Sequence, residues 1–195
     1  MTTLAATATF SSSPLWFLTR STGITAFVLL TIATVLGIAS TQRALASPAW
    51  PRFATQQLHR NVSLLSIVLL VAHVLTTLLD GYVTVGWTAL AIPFLSPYHR
   101  FWVGMGTLAW DLILVVLMSS LLRTRIPART WRVLHYFSYA AWPFALGHFL
   151  FTGTDGGGWG RWLGLVSLVL VLAAGAVRLA TTNTPGPLAS IRSAR

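Results

Sequence analysis

The chain has 195 residues, 55% hydrophobic and only 8% charged, with a net charge of +10 from 13 basic and 3 acidic side chains. A soluble domain carries about a quarter charged residues, so this balance and a mean hydropathy of +0.72 exclude an ordinary soluble enzyme and point to an integral membrane protein. The lack of cysteine removes thiol–disulfide exchange, iron–sulfur clusters and Cys-ligated zinc, and the placement of the arginines speaks against nucleic acid as the partner of the positive charge.

In chain order, the Thr/Ser-rich start has no basic residue before Arg20. A secretory signal needs a basic segment ahead of its apolar core, so residues 1–14 are expected as a short extracytoplasmic tail. A bilayer core takes about 20 apolar residues as helix. Five stretches meet that need: Leu15–Ser40, Leu58–Leu79, Phe101–Leu122, Trp131–Phe151 and Trp162–Thr181. They are separated by SPAWPR at 47–52, IPFLSPYHR at 92–100, RTRIPAR at 123–129 and TGTDGGGWGR at 152–161. Residues 182–195 hold two prolines without apolar periodicity and are expected as a disordered cytoplasmic tail. The predicted fold is an all-α membrane protein, a bundle of about five transmembrane helices over residues 15–181.

Arginine sets the expected orientation. Arg43, Arg52 and Arg60, then Arg123, Arg125, Arg129 and Arg132, then Arg178, Arg192 and Arg195 all fall on one side of the five spans. Arg20, Arg100 and Arg161 fall on the other. The richer side is cytoplasmic by the positive-inside rule. The N-terminus is then outside, in the plasma membrane of the cell, and the second and fourth spans both run from inside to outside.

Four of the five histidines lie in those two parallel spans: His59 and His73 in the second, His135 and His148 in the fourth. Intramembrane ionisable residues are costly and mark functional sites. Parallel helices match first with first, giving His59 with His135 at the inner level and His73 with His148 at the outer level. A rise of 1.5 Å per residue puts the levels about 20 Å apart. Fourteen residues leave His59 and His73 about 40° apart, on one face, whereas thirteen leave His135 and His148 about 140° apart on an ideal helix. Pro143, between the latter two, is a place where that helix can kink or re-phase.

Zinc wants three or four ligands together, and each level offers two. Haem iron needs only two axial ligands, and helix bundles build cofactor sites from facing side chains. Two stacked haems therefore fit this pattern, each bound by one histidine from each helix. The competing reading is that each histidine only hydrogen-bonds a neighbouring helix. His99 lies in the outer loop, as a solvated interfacial residue or one that handles an electron acceptor. Arg20 is a candidate partner for an outer propionate, and Arg60 and Arg132, flanking the inner histidines, for an inner one. Asp111, within the third span, is a functional candidate by position: an arginine partner, a hydrogen-bonding group in the neighbourhood of a haem ligand, a proton relay, or a neutral acid bonded to a Ser or Thr on another helix. Gly104, Gly106, Gly147 and Gly164 are expected to allow close approach of helices or a porphyrin.

The two motifs LHRNVSLLSIVLLVAH and HYFSYAAWPFALGH resemble the transmembrane domain of ferric reductases and NADPH oxidases over about residues 15 to 180. The resemblance implies two b-type haems (haem b) ligated by His59, His73, His135 and His148, and an oxidoreductase carrying electrons across the membrane. The family's full-length members usually have six spans and a cytoplasmic FAD- and NAD(P)H-binding domain. This chain departs from both patterns, which implies a separate cytoplasmic flavoprotein reductase or a quinol as donor. The chain is also similar to the haem-binding membrane subunit of the periplasmic methionine sulfoxide reductase, another branch of that superfamily. The expected acceptor is extracytoplasmic: ferric iron, a redox protein or oxygen. Two rival readings stand beside this one, a quinol-linked haem subunit feeding a periplasmic reductase, and a cofactor-free small transporter or assembly factor. Membrane lipid is the surrounding partner in each.

Overall fold

The computed structural model describes residues 14–41, 52–80, 84–153 and 157–182. Both expected tails, apart from residues 14 and 182, lie outside the described residues, as do most of the first inter-span loop and Asp155. Six helices make up the described fold: α1 Pro14–Ser40, α2 Arg52–Leu79, α3 Arg100–Leu121, α4 Ala128–His135, α5 Phe137–Thr152 and α6 Trp159–Thr182. No strand occurs among the described residues. Four helices, α1, α2, α3 and α6, are each long and apolar enough to cross a membrane.

Two antiparallel helix pairs form the bundle. α1 packs mainly along α2, α3 mainly along α5, and α6 leans on α1 and α5. Large apolar side chains crowd the outer faces of α2 and α6: Leu64, Leu65, Val68 and Leu75 on one, Val166, Val169, Leu170 and Leu172 on the other, all exposed. A soluble protein does not display apolar surface on this scale; facing lipid, it carries no penalty.

The core between the pairs is small and aromatic. Phe27 of α1 stacks on Phe149 (4.7 Å between ring centres) and on Trp142 (6.4 Å), both from α5. The Trp142 indole donates to the Thr31 hydroxyl at 3.0 Å, and that hydroxyl donates to the Phe27 carbonyl. Ser66 of α2 donates to the Ala26 carbonyl at 3.0 Å. In an apolar medium a helix carbonyl is among the few acceptors within reach, which is why small hydroxyls pin the helices together here.

The fourth span departs from expectation. Trp131–Phe151 is predicted as one continuous helix, with any re-phasing at Pro143. The break falls instead at Tyr136, between α4 and α5, and Pro143 sits exposed inside α5. The Tyr136 amide donates to both Arg132 and Val133, and the Tyr139 amide donates to Tyr136, three residues back. Three-residue bonding winds faster than an α-helix, about 120° per residue against 100°. Thirteen residues of ideal α-helix stop about 140° short of whole turns, so tighter winding carries His148 towards the face that His135 occupies.

The connection before α3 is folded onto it. A short 3₁₀ turn at Trp87–Leu90 is tied down by the Thr107 hydroxyl, which donates to the Ala89 carbonyl at 2.7 Å. Phe94 takes a positive φ of 66° and packs against Gly104, where an added Cβ would collide with the Phe94 ring and amide.

Thr31→Val should remove the only acceptor recorded for the buried Trp142 indole among the described residues and lower stability by about 1–3 kcal/mol. Thermal unfolding of the detergent-solubilised chain, with Thr31→Ser as the near-neutral control, reads the difference.

Candidate functional site

The structure brings the four intramembrane histidines together as two facing pairs. His59 of α2 faces His135 of α4 with ring centres 6.2 Å apart and planes at 75°. His73 of α2 faces His148 of α5 with centres 6.2 Å apart and planes at 77°. The separation discriminates between chemistries. A direct N–H···N hydrogen bond of about 3 Å would draw the ring centres to roughly 5 Å. One metal atom about 2.0 Å from a nitrogen of each ring holds them roughly 6 Å apart. At 6.2 Å both pairs are wider than a direct hydrogen bond would make them and match the separation that one coordinated atom would need, a distance edge-to-face ring pairs also take.

The far nitrogens are tied to neighbouring backbone. His73 Nδ1 donates to the Thr19 carbonyl at 2.7 Å and His59 Nδ1 to the Ala33 carbonyl at 2.8 Å, both on α1. His148 Nδ1 donates to the Trp102 carbonyl of α3 at 2.9 Å, with the Thr152 hydroxyl 3.2 Å away. A proton on Nδ1 leaves the lone pair on Nε2, the tautomer a metal ligand needs, and such outer partners fix ring orientation and raise ligand basicity.

Glycine makes these bonds possible. A helix carbonyl is normally screened by the side chain four residues on, because Cβ atoms tilt towards the N-terminus. Four residues beyond Thr19, Ala33 and Trp102 stand Gly23, Gly37 and Gly106. A Cβ on Gly23 would lie 2.6 Å from His73 Nδ1, and one on Gly106 would lie 2.5 Å from His148 Nδ1. A Cβ on Gly37 would lie 3.2 Å from His59 Cε1. Each of these three imidazoles sits in a socket made of one bare carbonyl and one glycine. Gly106 is among the glycines singled out from the sequence. Gly23 and Gly37 are not, although their 14-residue interval equals that of His59 and His73. Gly147 and Gly164 serve helix packing instead, against Met105 and Leu150.

His135 is held differently. Its ring stacks on Trp131 (4.9 Å, 25°), and the Arg123 guanidinium lies 4.6 Å over that indole. Its Nδ1 is buried without a hydrogen-bond partner among the described residues, as is Trp131 Nε1.

A cavity of about 470 Å³ opens at the His73–His148 pair. His73, His148, Gly23 and Gly106 line it, with Phe27, Trp110 and Phe149 as apolar walls and Arg20, Asp80 and Tyr98 adding polar groups. Its size lies within the 300–1,000 Å³ usual for organic ligands. Thr19 also lines it, and the Thr19 hydroxyl is buried with no hydrogen-bond partner among the described residues. Arg20 stacks over Trp16 at 4.8 Å. Apolar walls, an arginine and an orphaned hydroxyl around a histidine pair suit a flat, largely apolar group with an anionic edge.

The other sequence candidates lie outside this arrangement. Arg60 is exposed one residue after His59, and Arg132 is exposed with its Nε donating to the Ala128 carbonyl of its own helix. His99 is an exposed, left-handed residue (φ 37°) that starts α3 and meets the Tyr98 ring at 4.4 Å. Asp111 is half-buried on α3. No cluster of three or more His or Asp able to hold a metal occurs among the described residues.

The chain belongs to the family described as a domain of unknown function (DUF8596), whose model matches residues 14–155. That match encloses α1 to α5, hence both histidine pairs and their sockets, and leaves out α6. No curated protein and no solved structure matches the chain.

Socket glycines should respond to substitution with the opposite sign from ordinary helix glycines. Gly175→Ala, at a position with open space around it, is expected to gain up to about 1 kcal/mol from helix propensity. Gly23→Ala and Gly106→Ala should destabilise, because the methyl displaces a histidine ring. Melting temperatures of the three variants in one detergent give the comparison.

Proposed function

We propose that this protein is a membrane electron carrier that holds two b-type haems, one between His59 and His135 and one between His73 and His148. The observation that carries the reading is the repeated geometry: two facing imidazole pairs, each with the spacing of a single bridging metal, and three of the four rings anchored through Nδ1. Zinc is a poor fit, since each level supplies only two ligands where zinc takes three or four from protein or water. The resemblance of the histidine motifs to ferric reductase and NADPH oxidase transmembrane domains points the same way.

Haem, held by His59 with His135 and by His73 with His148, would supply reversible one-electron chemistry suited to electron transfer. The protein's residues do the rest. His59, His73, His135 and His148 offer Nε2 lone pairs. Thr19, Ala33 and Trp102 hold three of the rings still. Arg20 and the Thr19 hydroxyl are placed to bind an anionic edge group at the outer site. Arg60 and Arg132 belong to the reading as inner counterparts by position alone. Phe27 and Phe149 wall the cavity at the His73–His148 pair, and Trp142 stacks on Phe27.

The helices α1, α2, α3 and α6 and the broken α4–α5 unit make five crossings in this reading, with the N-terminus outside the plasma membrane. Electrons enter at the inner pair from a cytoplasmic flavoprotein reductase or a quinol and leave at the outer pair to ferric iron, a redox protein or oxygen. A quinol-linked subunit serving a periplasmic reductase is the second form of the same proposal.

A pyridine haemochrome assay on the purified chain should give about two haem b per polypeptide, with the split visible absorption of six-coordinate low-spin iron. His73→Ala should lose the outer haem and His135→Ala the inner one, each leaving about one. A colourless preparation from haem-replete cells overturns the reading and favours a cofactor-free transporter or assembly factor. Haem reduction that depends on added quinol in membranes selects the quinol-linked form.

A further inference from the structure

Five serine and threonine hydroxyls line the cavity at the His73–His148 pair: Thr19, Ser66, Thr77, Thr107 and Thr152. Three of them are spent on backbone. Ser66 donates to the Ala26 carbonyl, Thr77 to that of His73 and Thr107 to that of Ala89. The other two are not. The Thr19 hydroxyl is buried with no hydrogen-bond partner among the described residues, although the Thr19 carbonyl accepts from His73 Nδ1. The Thr152 hydroxyl lies 3.2 Å from His148 Nδ1, a nitrogen that also reaches the Trp102 carbonyl at 2.9 Å. A carbonyl only accepts, so Nδ1 carries the proton and the Thr152 oxygen stands beside it as a second acceptor. The hydroxyl proton of Thr152 then goes to no acceptor among the described residues. Those of Thr22, Thr25 and Thr34 are donated one turn back along their own helix.

The two unspent hydroxyls are placed alike. Thr19 stands four residues before Gly23, the glycine against His73, and Thr152 stands four residues after His148. α1 begins and α5 ends at the same end of the bundle, so both hydroxyls lie about one turn beyond the ring pair on one side. Arg20, next to Thr19 in the chain, lines that end as well. Leu30, Leu70 and Ile113 line the other end. A cation and two hydroxyl donors at one end of an otherwise apolar cavity match a carboxylate-bearing edge.

We propose that Thr19 and Thr152 are positioning residues of the His73–His148 site: each hydroxyl donates to a carboxylate on the edge of the bound group, and Thr152 joins that edge to the ring of His148. The inference rests on the haem reading for the identity of the bound group, whose edge carries two propionate carboxylates. A hydroxyl oxygen that gives its own proton away accepts more strongly. Carboxylate binding therefore tightens the bond from His148 Nδ1 to Thr152, and one residue holds both the edge of the group and a ligand to its centre.

Thr19→Val and Thr152→Val remove the hydroxyls and keep the side-chain shape, and Thr19→Val leaves the carbonyl that anchors His73. In the purified, haem-loaded full-length chain, the haem absent from His73→Ala should dissociate about tenfold faster from either variant, the scale of one hydrogen bond to a charged group. Thr152→Ser should restore the wild-type rate. The other haem should be unaffected. Loading with haem dimethyl ester, which has no carboxylates, should give the wild-type chain and both valine variants the same rate. Native haem retained equally by wild type and both variants overturns the proposal. So does an equal acceleration with the diester, because the threonines then act through packing alone. A wild-type chain that takes up no haem fails the electron-carrier reading, and metal-free protoporphyrin IX then decides this inference by fluorescence titration. Uptake weakened about tenfold by each valine substitution, but not with the porphyrin diester, upholds it. No uptake, or uptake indifferent to the substitutions, overturns it.

Discussion

Three of the four paired imidazoles are held through Nδ1 by the carbonyl of a neighbouring helix, and the packing of this bundle is arranged around that constraint. In an apolar interior the acceptors within reach are the carbonyls of neighbouring helices, and each of these already serves an amide four residues on. Sharing one demands close lateral approach. Gly23, Gly37 and Gly106 provide it, and their cost in helix propensity is offset where the histidine ring takes the place a methyl would fill. The pairing of α1 with α2 and of α3 with α5 is the fold-level expression of these contacts, since each socket lies on one member of a pair and its histidine on the other.

The two levels are built from different materials. At the His73–His148 level both rings are anchored, the connection before α3 is pinned down by Thr107 and Gly104, and a cavity lined by an arginine and the Thr19 hydroxyl surrounds the pair. At the His59–His135 level the chain breaks at Tyr136, directly after the histidine, and His135 is held by an aromatic stack. The change of winding there turns His148 part of the way towards the face of His135, and the short α4 that results packs chiefly on α3.

Much of this was readable in advance, and the failures have specific causes. Apolar runs of the right length marked α1, α2, α3 and α6 because a lipid-facing helix shows its length in composition alone. The matched histidine pairs followed from parallel spans of similar interval. Pro143 drew attention as the place for re-phasing because proline removes an amide, yet the change of winding lies at Tyr136, where no residue type announces it. Gly23 and Gly37 were passed over because a single glycine in an apolar helix is commonplace. Only their interval, equal to that of the histidines they face, carried the information.

The sequence by itself determined that the chain is a bundle of apolar helices and that four histidines sit inside it in two matched sets, because burial in lipid selects residue types whatever their partners. Only the tertiary structure decided which imidazoles face each other, at what separation, and which carbonyl holds each one. Those are distances between atoms remote in the chain, fixed by how closely two helix backbones approach. They turn on single positions, a hydrogen at Gly23 or at Gly106, whose effect is invisible until the helix opposite is in place.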